Sequence, residues 1–486
     1  MVFSKKMMGR ALALGLAACM SLSGMVTYAS QTATTQINST LPKYVFYFIG
    51  DGLGSAQRQV AEFYLQHQTN DPTATLTMNE FPVMGMNTTY SADTLITDSA
   101  AAGTALATGH KTNNGVIAQL PDGTPVKTLV ELAEEKGMAT GIISTTRLTH
   151  ATPAAFASHN ENRNNENEIA VDFLDSGVDF MAGGGYRHFI PQKNDIGKSK
   201  RKDDTNVIEQ FSNQGYQVFV SEEDTDEFMN YEPKAGEKVF AAFTYSHLPY
   251  EIDRMQDNAT PSLAQITEKG IDALSTNDSF LMVVEGGRID HAGHANDVAG
   301  SIYDTLAFDA AIAKAYDFYM DHPNETLIMV AGDHETGGLG LGFGLQYFMN
   351  LEEIDATQAS IEDKLAYSYN AGDDRAAFLS RLVKEYGLTK MTEAEMSRIN
   401  EALDMVDNGL EGSTEEYGYN TAHPYVAVVA HILSERAGIE WTTYAHSGTI
   451  IPFTAIGVGA EDFMGYLDNT DIAEIMADQI NVELDQ

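Results

Sequence analysis

The stretch TDSAAAGT, which begins at Thr97, contains a serine at the point where a helix should begin. Asp98 and Ser99 come directly before an alanine-rich run, so Ser99 lies near the start of a helix predicted over residues 100–107. Free backbone N–H groups and the positive end of the helix dipole favour an anion at that point. A serine there is either a nucleophile for an anionic substrate or a helix cap. The other polar segments of the chain bear on that choice.

The segment from Glu285 to His294 has the residue types and the spacing of a metal site. Asp290 and His294 are four residues apart, so they lie on one face of a helical turn and can share a cation. Glu285 ends a predicted strand just before them and can reach a neighbouring ion. A charged helix start with solvated histidines is the alternative, but the apolar flanks and glycines favour a tight, buried turn.

Four further residues extend this set of possible ligands. Asp51 follows a predicted strand, and the glycines beside it let the backbone turn tightly so that its carboxylate can face a metal. Asp333 and His334 are adjacent, so both can bind one ion only at an irregular turn, which nearby glycines permit. His446 is isolated in the sequence and is a weak candidate alone. Two other histidines remain alternatives to it: His423 and His431.

The chain is strongly acidic, with a formal net charge of −40 over 486 residues. This charge argues against nucleic acid or an anionic membrane surface as a partner. It also repels an anionic substrate at long range, so a phosphate site would need its own positive charge. Arg163 is one of few arginines near the motifs, and its planar guanidinium is suited to bidentate contact with a phosphate.

Apolar runs rich in β-forming residues alternate with helical patterns along the chain. The predicted strands cover residues 44–49, 138–144, 178–182, 280–284, 326–330 and 453–458, and the predicted helices cover 100–107, 126–136, 261–275 and 299–321. This alternation predicts an α/β fold with a mainly parallel central sheet and helices on both faces. Asp51, Glu285 and Asp333 each follow a predicted strand, and ligands bind at the carboxyl ends of such strands. We therefore expect an enzyme with its site at that edge of the sheet.

Residues 1–29 have the basic, apolar and small-residue regions of an export signal, so we expect a periplasmic or secreted protein. Cys19, the only cysteine, lies in a segment that also resembles a bacterial lipoprotein cleavage site, and a lipid anchor is the alternative to soluble export. With no other cysteine, transition metals must be bound by histidine and carboxylate. No later run approaches the length of a membrane span.

The expected catalytic domain comprises residues 30–345 and 441–486. Between these two parts, residues 346–440 form an acidic, mostly helical insertion, which we interpret as a lid, a crown or an interface. Within it, Thr392 and Glu395 have capping-box spacing and are followed by amphipathic residues to about Val406, which predicts a helix.

Together these motifs resemble those of the zinc- and magnesium-dependent alkaline phosphatases. The similarity runs from about residue 43 to residue 460 and is interrupted by the insertion. The motifs that carry it are Gly50-Asp51-Gly52, Thr97-Asp98-Ser99-Ala100-Ala101-Ala102-Gly103, Thr152-Pro153-Ala154-Ala155, Met181-Ala182-Gly183-Gly184-Gly185, Glu285-Gly286 with Asp290 and His294, Asp333-His334 and His446-Ser447-Gly448. The resemblance implies a homodimer that hydrolyses small-molecule phosphate monoesters to an alcohol and inorganic phosphate.

The resemblance further implies two Zn²⁺ and one Mg²⁺ per chain. The implied ligands for one zinc are Asp290, His294 and His446. For the other zinc they are Asp51, Asp333 and His334, with the Ser99 oxygen joining them. Magnesium would be bound by Asp51, Thr152, Glu285 and waters. Ser99 would be the nucleophile that forms a phosphoseryl intermediate. Arg163 would hold two phosphate oxygens, and Asp98 would hold Arg163.

Two positions depart from the pattern of the enteric bacterial enzymes. His150 and His291 stand where that type has aspartate and lysine, and the histidine pair is similar to vertebrate and some marine bacterial members. We expect from this a less tightly held magnesium and faster release of phosphate. Two other functions are alternatives: a phosphodiesterase of the same superfamily, which would hydrolyse bis(4-nitrophenyl) phosphate, and a catalytically silent exported binder of phosphate or metal.

Overall fold

The computed structural model describes residues 41–485, and the predicted export signal at 1–29, with Cys19, lies outside the described residues. The strands are β1 (Tyr44–Gly50), β2 (Val83–Asn87), β3 (Ala139–Arg147), β4 (Phe180–Gly184), β5 (Gln217–Val220), β6 (Val239–Ala242), β7 (Phe280–Glu285), β8 (Thr326–Gly332), β9 (Glu335–Thr336), β10 (His446–Ser447), β11 (Ile451–Gly457) and β12 (Gly465–Leu467). In this part of the chain, β9 and β10 form a separate antiparallel pair and the remaining strands form one ten-stranded sheet.

The large sheet has the strand order β12-β2-β11-β8-β1-β7-β3-β4-β6-β5. Its pairs are parallel, except that β11 runs antiparallel to both β2 and β8. In the register, Ile49 lies opposite Glu285 and Gly50 lies opposite Gly332. The carboxyl ends of β7, β1 and β8 therefore meet at one edge, which brings Asp51, Glu285 and Asp333 together.

The helices surround this sheet and confirm the predicted α/β architecture. They are α1 (Ser55–Thr69), α2 (Ser99–Thr108), α3 (Leu129–Lys136), α4 (Ala151–Ala157), α5 (Glu166–Asp175), α6 (Val207–Asn213), α7 (Thr225–Asn230), α8 (Glu251–Asp257), α9 (Leu263–Leu274), α10 (Arg288–His294), α11 (Val298–Asp321), α12 (Glu352–Asp355), α13 (Arg375–Tyr386), α14 (Glu393–Asp407), α15 (Thr414–Tyr417), α16 (Tyr425–Ala437) and α17 (Asn469–Gln479). Two large apolar clusters involve opposite sides of the strands: Tyr47 belongs to one, and Phe46 and Phe48 belong to the other.

The observed elements differ from the predicted ones at some boundaries, and capping hydrogen bonds explain two of these differences. Thr128 and Ser262 form capping boxes, so α3 and α9 begin at Leu129 and Leu263, a few residues later than predicted. Strand β3 continues to Arg147 through a polar run that the sequence pattern treated as a strand end. Strands β2, β5, β6, β9, β10 and β12 and helices α1, α4 to α8 and α17 were not predicted, and within residues 346–440 only α14 was predicted individually.

Residues 346–440 contain α12 to α16 and a π-helix over Ile361–Leu365. The predicted capping box is confirmed, because the Thr392 side chain accepts a hydrogen bond from the Glu395 backbone N–H at the start of α14. The π-helix lies against α10, where the buried Arg288 pairs with Glu362 and Asp363. Within residues 41–485, no helix is both long and apolar enough to span a membrane.

Candidate metal centre and active site

Three groups of carboxylate and imidazole side chains meet at the carboxyl edge of the sheet. In each group the possible ligand atoms lie within 4.8 Å of one another. The first group is Asp290, His294 and His446, the second is Asp51, Asp333 and His334, and the third is Asp51, His150 and Glu285. Asp51 belongs to both the second and the third group, so it joins them into one centre.

The first group consists of two histidines that face each other across a carboxylate. His294 Nε2 lies 3.2 Å from His446 Nε2, and each of these atoms lies 3.4 Å from Asp290 Oδ1. The two Nδ1 atoms lie 2.6 Å from the carbonyl oxygen of Tyr444 and 2.8 Å from that of Thr97. A carbonyl only accepts hydrogen bonds, so each neutral ring has its proton on Nδ1. The two Nε2 lone pairs therefore face each other and a carboxylate oxygen, which is the arrangement that a cation stabilises.

The second group is fully buried. His334 Nε2 lies 3.3 Å from Asp51 Oδ1 and 3.3 Å from Asp333 Oδ2, and those two oxygens have no hydrogen-bond partner among the described residues. Thr336 donates its hydroxyl proton to Asp290 Oδ1 at 2.5 Å, so it accepts from His334 Nδ1 at 3.2 Å. His334 Nε2 is thereby an acceptor that faces two unpartnered carboxylate oxygens, with the Ser99 hydroxyl 3.2 Å away. A buried carboxylate oxygen without a hydrogen-bond donor destabilises the fold unless a cation binds it. Two carboxylates and one imidazole are ligands that suit zinc.

The third group is rich in oxygen. Ser144 and Thr146 donate to Glu285 Oε2, and Glu285 Oε1 has no partner in the described part of the chain. Thr152 Oγ1 lies 3.4 Å from Asp51 Oδ2. Oxygen ligands of this kind suit magnesium. His150, which the implied magnesium ligands do not include, lies at the same place as a possible nitrogen ligand.

Ser99 is the first residue of α2, and Asp98 is the residue that caps this helix. The Asp98 carboxylate accepts from the Ala101 backbone N–H at 3.0 Å and from Arg163 Nη1 at 2.9 Å. The hydroxyl of Ser99 is therefore not needed as a cap, and its Oγ lies 3.2 Å from His334 Nε2. The other end of the Arg163 guanidinium lies 3.1 Å from His150 Nε2. Ser99, the candidate nucleophile, therefore lies beside the second group, and Arg163, the candidate phosphate-binding side chain, lies beside the third group.

Four further histidines bear on the site: His291 and His247 lie near the third group, whereas His431 and His423 join no ligand group. His291 lies beside the third group, with its ring centroid 5.5 Å from that of His150 and 4.3 Å from that of His247. Sequence reasoning missed His247, because no motif surrounds it. His431 binds Asn296 at 3.0 Å, and His423 packs against Tyr367, so neither alternative to His446 joins a ligand group.

Glu335 is a second residue that sequence reasoning missed, and its buried carboxylate accepts four hydrogen bonds. Gln57 Nε2 and the Leu339 backbone N–H donate to Oε1 at 2.7 and 3.0 Å. The Gly338 backbone N–H and the Ser447 hydroxyl donate to Oε2. Glu335 follows His334 in the chain and Ser447 follows His446, so this carboxylate holds two ligand-bearing segments together.

Glu335→Gln should weaken zinc binding in the first and second groups by about 10- to 100-fold, the range for residues that orient metal ligands. An amide presents a donor where Glu335 now accepts, so at least one of the four hydrogen bonds is lost. Competition with a chromogenic chelator measures the change. The exposed Glu440→Gln variant is the matched control and should bind zinc like the wild type. Equal zinc affinity in both variants would contradict this role of Glu335.

The stabilisation that metals give should increase with pH. Burial raises the pKa of Asp51, Glu285 and Asp333 in the metal-free protein. A carboxyl group whose pKa is raised by folding gives stability below its unfolded pKa, and that stability is lost as the pH rises through the folded pKa. Metal binding requires the deprotonated carboxylates. At alkaline pH these buried carboxylates are charged and destabilise the metal-free protein, so bound metal restores more stability there than at acidic pH. We expect zinc and magnesium to raise the Tm of chelated protein more at about pH 8 than at about pH 5.5. Equal increments by calorimetry would contradict this.

Comparison with known proteins gives consistent results. The family model "Alkaline phosphatase" matches residues 42–482. The chain is 33% identical over 499 residues to alkaline phosphatase 3 of Bacillus subtilis (strain 168), and the match covers 99% of each chain. The structure of Thermus thermophilus alkaline phosphatase has a TM-score of 0.79 and 28% identity, and covers 91% of this chain and 92% of that one.

A third similar structure is a variant of TAB5 alkaline phosphatase in which a histidine is replaced by aspartate, described as having Mg bound in the M3 site. Its TM-score is 0.62 at 26% identity, and the match covers 91% of this chain and 99% of that one. The family match spans nearly the whole described chain, and that part of the chain contains three groups of possible metal ligands, two of which share Asp51. The chain therefore belongs to the alkaline phosphatase family, a family of metal-dependent phosphomonoesterases.

Proposed function

We propose that the protein hydrolyses phosphate monoesters through a phosphoseryl intermediate on Ser99, at a centre that binds two Zn²⁺ and one Mg²⁺. The observation that carries this proposal is the shared carboxylate of Asp51, which joins two ligand groups beside Ser99 and Arg163. A nucleophile, a cationic side chain and buried ligands within one site are the components that phosphoryl transfer requires.

The donor atoms support the assignment of each metal. The first and second groups mix imidazole with carboxylate, which suits zinc. The third group offers the oxygens of Asp51 and Glu285, and with the neighbouring Thr152 hydroxyl these suit magnesium. The unpartnered oxygens of Asp51, Glu285 and Asp333 are compatible with cations in both the second and the third group.

In the proposed reaction, Ser99 Oγ attacks the phosphorus atom in line with the bond to the leaving alcohol. Two N–H groups of Arg163 donate to two phosphate oxygens, and Asp98 fixes the orientation of the guanidinium. Cations held by the three ligand groups would lower the pKa of the Ser99 hydroxyl and would stabilise the charge that develops on the departing oxygen. Water then hydrolyses the phosphoserine and regenerates the Ser99 hydroxyl. The positive end of the α2 dipole also favours the phosphoryl group at Ser99.

Hydrolysis of 4-nitrophenyl phosphate at alkaline pH tests the proposed function. Chelation should abolish the activity, and addition of zinc and magnesium together should restore it. Activity that is indifferent to chelation would contradict the metal assignment. Phosphate binding without turnover would identify a silent binder, and faster hydrolysis of bis(4-nitrophenyl) phosphate would identify a diesterase.

His150→Asp should increase the affinity for magnesium by about tenfold, by analogy with other changes around metal ligands. A carboxylate is a harder ligand than imidazole, and His150 lies beside Asp51 and Glu285. The TAB5 variant with the same type of replacement, which binds Mg in its M3 site, supports this expectation. His150→Asn is the control, because it removes the imidazole without adding charge. Calorimetric titration that finds equal magnesium affinity in the two variants would contradict the prediction.

We also propose that the protein is exported and that it acts as a homodimer, as the resemblance implies. Residues 1–29 have the composition of an export signal. In the proposed organisation, residues 30–345 and 441–486 form the catalytic domain, and residues 346–440 form a lid, crown or interface. Light scattering that finds a mass of a single chain would contradict the homodimer.

A further inference from the structure

The site opens to solvent on the side of the first ligand group. The side chains of Asp51, Asp333 and His334 have no exposed surface, whereas those of His294 and His446 are 23% and 11% exposed. Arg163 and Asp98 are also 22% and 20% exposed, but in the proposed reaction Arg163 holds phosphate oxygens. A phosphate ester that reaches Ser99 therefore leaves its alcohol portion on the side of the first ligand group. The residues that border His294 therefore determine what the alcohol portion contacts.

Tyr419 is the residue that borders His294 on this open side. Its ring centroid lies 5.4 Å from that of His294, with an angle of 83° between the rings, and the side chain is 74% exposed. An aromatic side chain this exposed has one face available for a ligand. Tyr419 belongs to residues 346–440, for which the proposed function gives no chemical role.

The backbone holds Tyr419 in this position through Tyr444. Gly418 has φ of +57°, and a Cβ atom there would lie 2.5 Å from the Tyr444 ring, so the turn packs closely on that ring. The Tyr444 hydroxyl donates to the Glu416 carbonyl at 2.9 Å, and the Tyr444 carbonyl accepts from His294 Nδ1. One residue thus orients a metal-ligand candidate and supports the turn that carries Tyr419.

We propose that the ring of Tyr419 contacts the alcohol portion of the substrate and makes the enzyme favour aryl phosphates over alkyl phosphates. This inference rests on the proposed function. An aromatic pair in offset or edge-to-face contact contributes enough to change a rate ratio by about three- to tenfold. The contact concerns the departing group alone, so it does not affect the binding of inorganic phosphate.

The test compares kcat/KM for 4-nitrophenyl phosphate with kcat/KM for glycerol 2-phosphate. Tyr419→Ala should lower the aryl-to-alkyl ratio about three- to tenfold, and Tyr419→Phe should retain the wild-type ratio because the ring remains. The inhibition constant of inorganic phosphate should stay within about twofold of wild type in both variants, since the transferred group does not touch the ring. Tyr347→Ala is the matched control, since Tyr347 is a fully exposed tyrosine of the same segment.

An unchanged ratio in Tyr419→Ala overturns the inference, and so does a loss of equal size for both substrates, which indicates a structural role. A Tyr419→Phe variant with the same fall in ratio as Tyr419→Ala also overturns the ring contact. Because the Tyr419 side chain is exposed, both variants should fold, and matching Tm values verify this. If the proposed function is wrong, the wild type itself hydrolyses neither phosphate ester. That result is distinct from failure of the Tyr419 contact, in which the wild type hydrolyses both esters.

Discussion

Ser99→Ala lowers kcat/KM for 4-nitrophenyl phosphate by at least about 10³-fold, the scale of losing a nucleophile that acts with the rest of a site. Asp98 caps α2 and Ser99 does not, so the substitution removes the nucleophile and leaves the start of the helix intact. The Ser99 side chain is buried, and its Oγ lies 3.2 Å from His334 Nε2. Steady-state kinetics on metal-loaded protein measure the loss.

The control for this experiment is Ser55→Ala, because Ser55 is also the first residue of a helix, α1, but is exposed. It should retain wild-type kinetics. Metal content should be unchanged in Ser99→Ala, since the three ligand groups do not depend on the serine. Activity of Ser99→Ala within tenfold of wild type, at full metal content, would show that another group attacks the phosphorus.

Asp51→Asn should reduce the affinity for two of the three metals by at least about 100-fold. Substitution of a residue that only orients a metal ligand already lowers metal affinity by about 10- to 100-fold. Asp51 is the one carboxylate that the second and third ligand groups share in the described chain. The amide is neutral and offers one acceptor oxygen instead of two, so it cannot bridge two cations. The first group does not include Asp51 and should retain its zinc. Elemental analysis after dialysis against buffered metal should therefore find about one metal per chain.

Asp309→Asn is the control for loss of a buried carboxylate. Asp309 accepts from the backbone N–H groups of Thr77 and Met78 and belongs to none of the ligand groups within residues 41–485. This variant should retain three metals per chain even if its Tm falls. Equal loss of all three metals from Asp51→Asn would contradict the role of Asp51 as a bridge between two groups only.

The centre of the fold can be predicted from the sequence because the carboxyl ends of parallel strands lie at the same edge of a sheet. Each parallel strand that ends near a carboxylate presents it at the same edge, so a common edge for Asp51, Glu285 and Asp333 follows from the strand assignment. Their proximity follows from the strand order, in which β1 lies between β7 and β8. The i,i+4 spacing of Asp290 and His294 likewise predicts that they share a helix face, as they do on α10. Periodicity gives no comparable signal for β2, β5, β6 and β12, which are short strands at the two sides of the sheet.

The partners that orient the ligands could not be predicted in the same way. Glu335 and Ser447 are 112 residues apart and meet only because β9 pairs with β10. His247 reaches His291 from a loop without a recognisable motif. Residue spacing alone does not choose between His446 and its two alternatives. The family resemblance implies His446, and the fold places it with Asp290 and His294. Tertiary contacts thus decide the residues around the ligands, whereas local patterns indicate many of the ligand candidates themselves.

The most direct measurement is to quench the metal-loaded enzyme with acid during turnover of a phosphate monoester and to analyse its peptides by mass spectrometry. We expect one phosphoryl group on the peptide that contains Ser99, in the wild type and not in Ser99→Ala. Phosphorylation at another residue, or rapid turnover with no phosphorylated peptide under conditions that preserve phosphoserine, would contradict the proposal that Ser99 is the nucleophile.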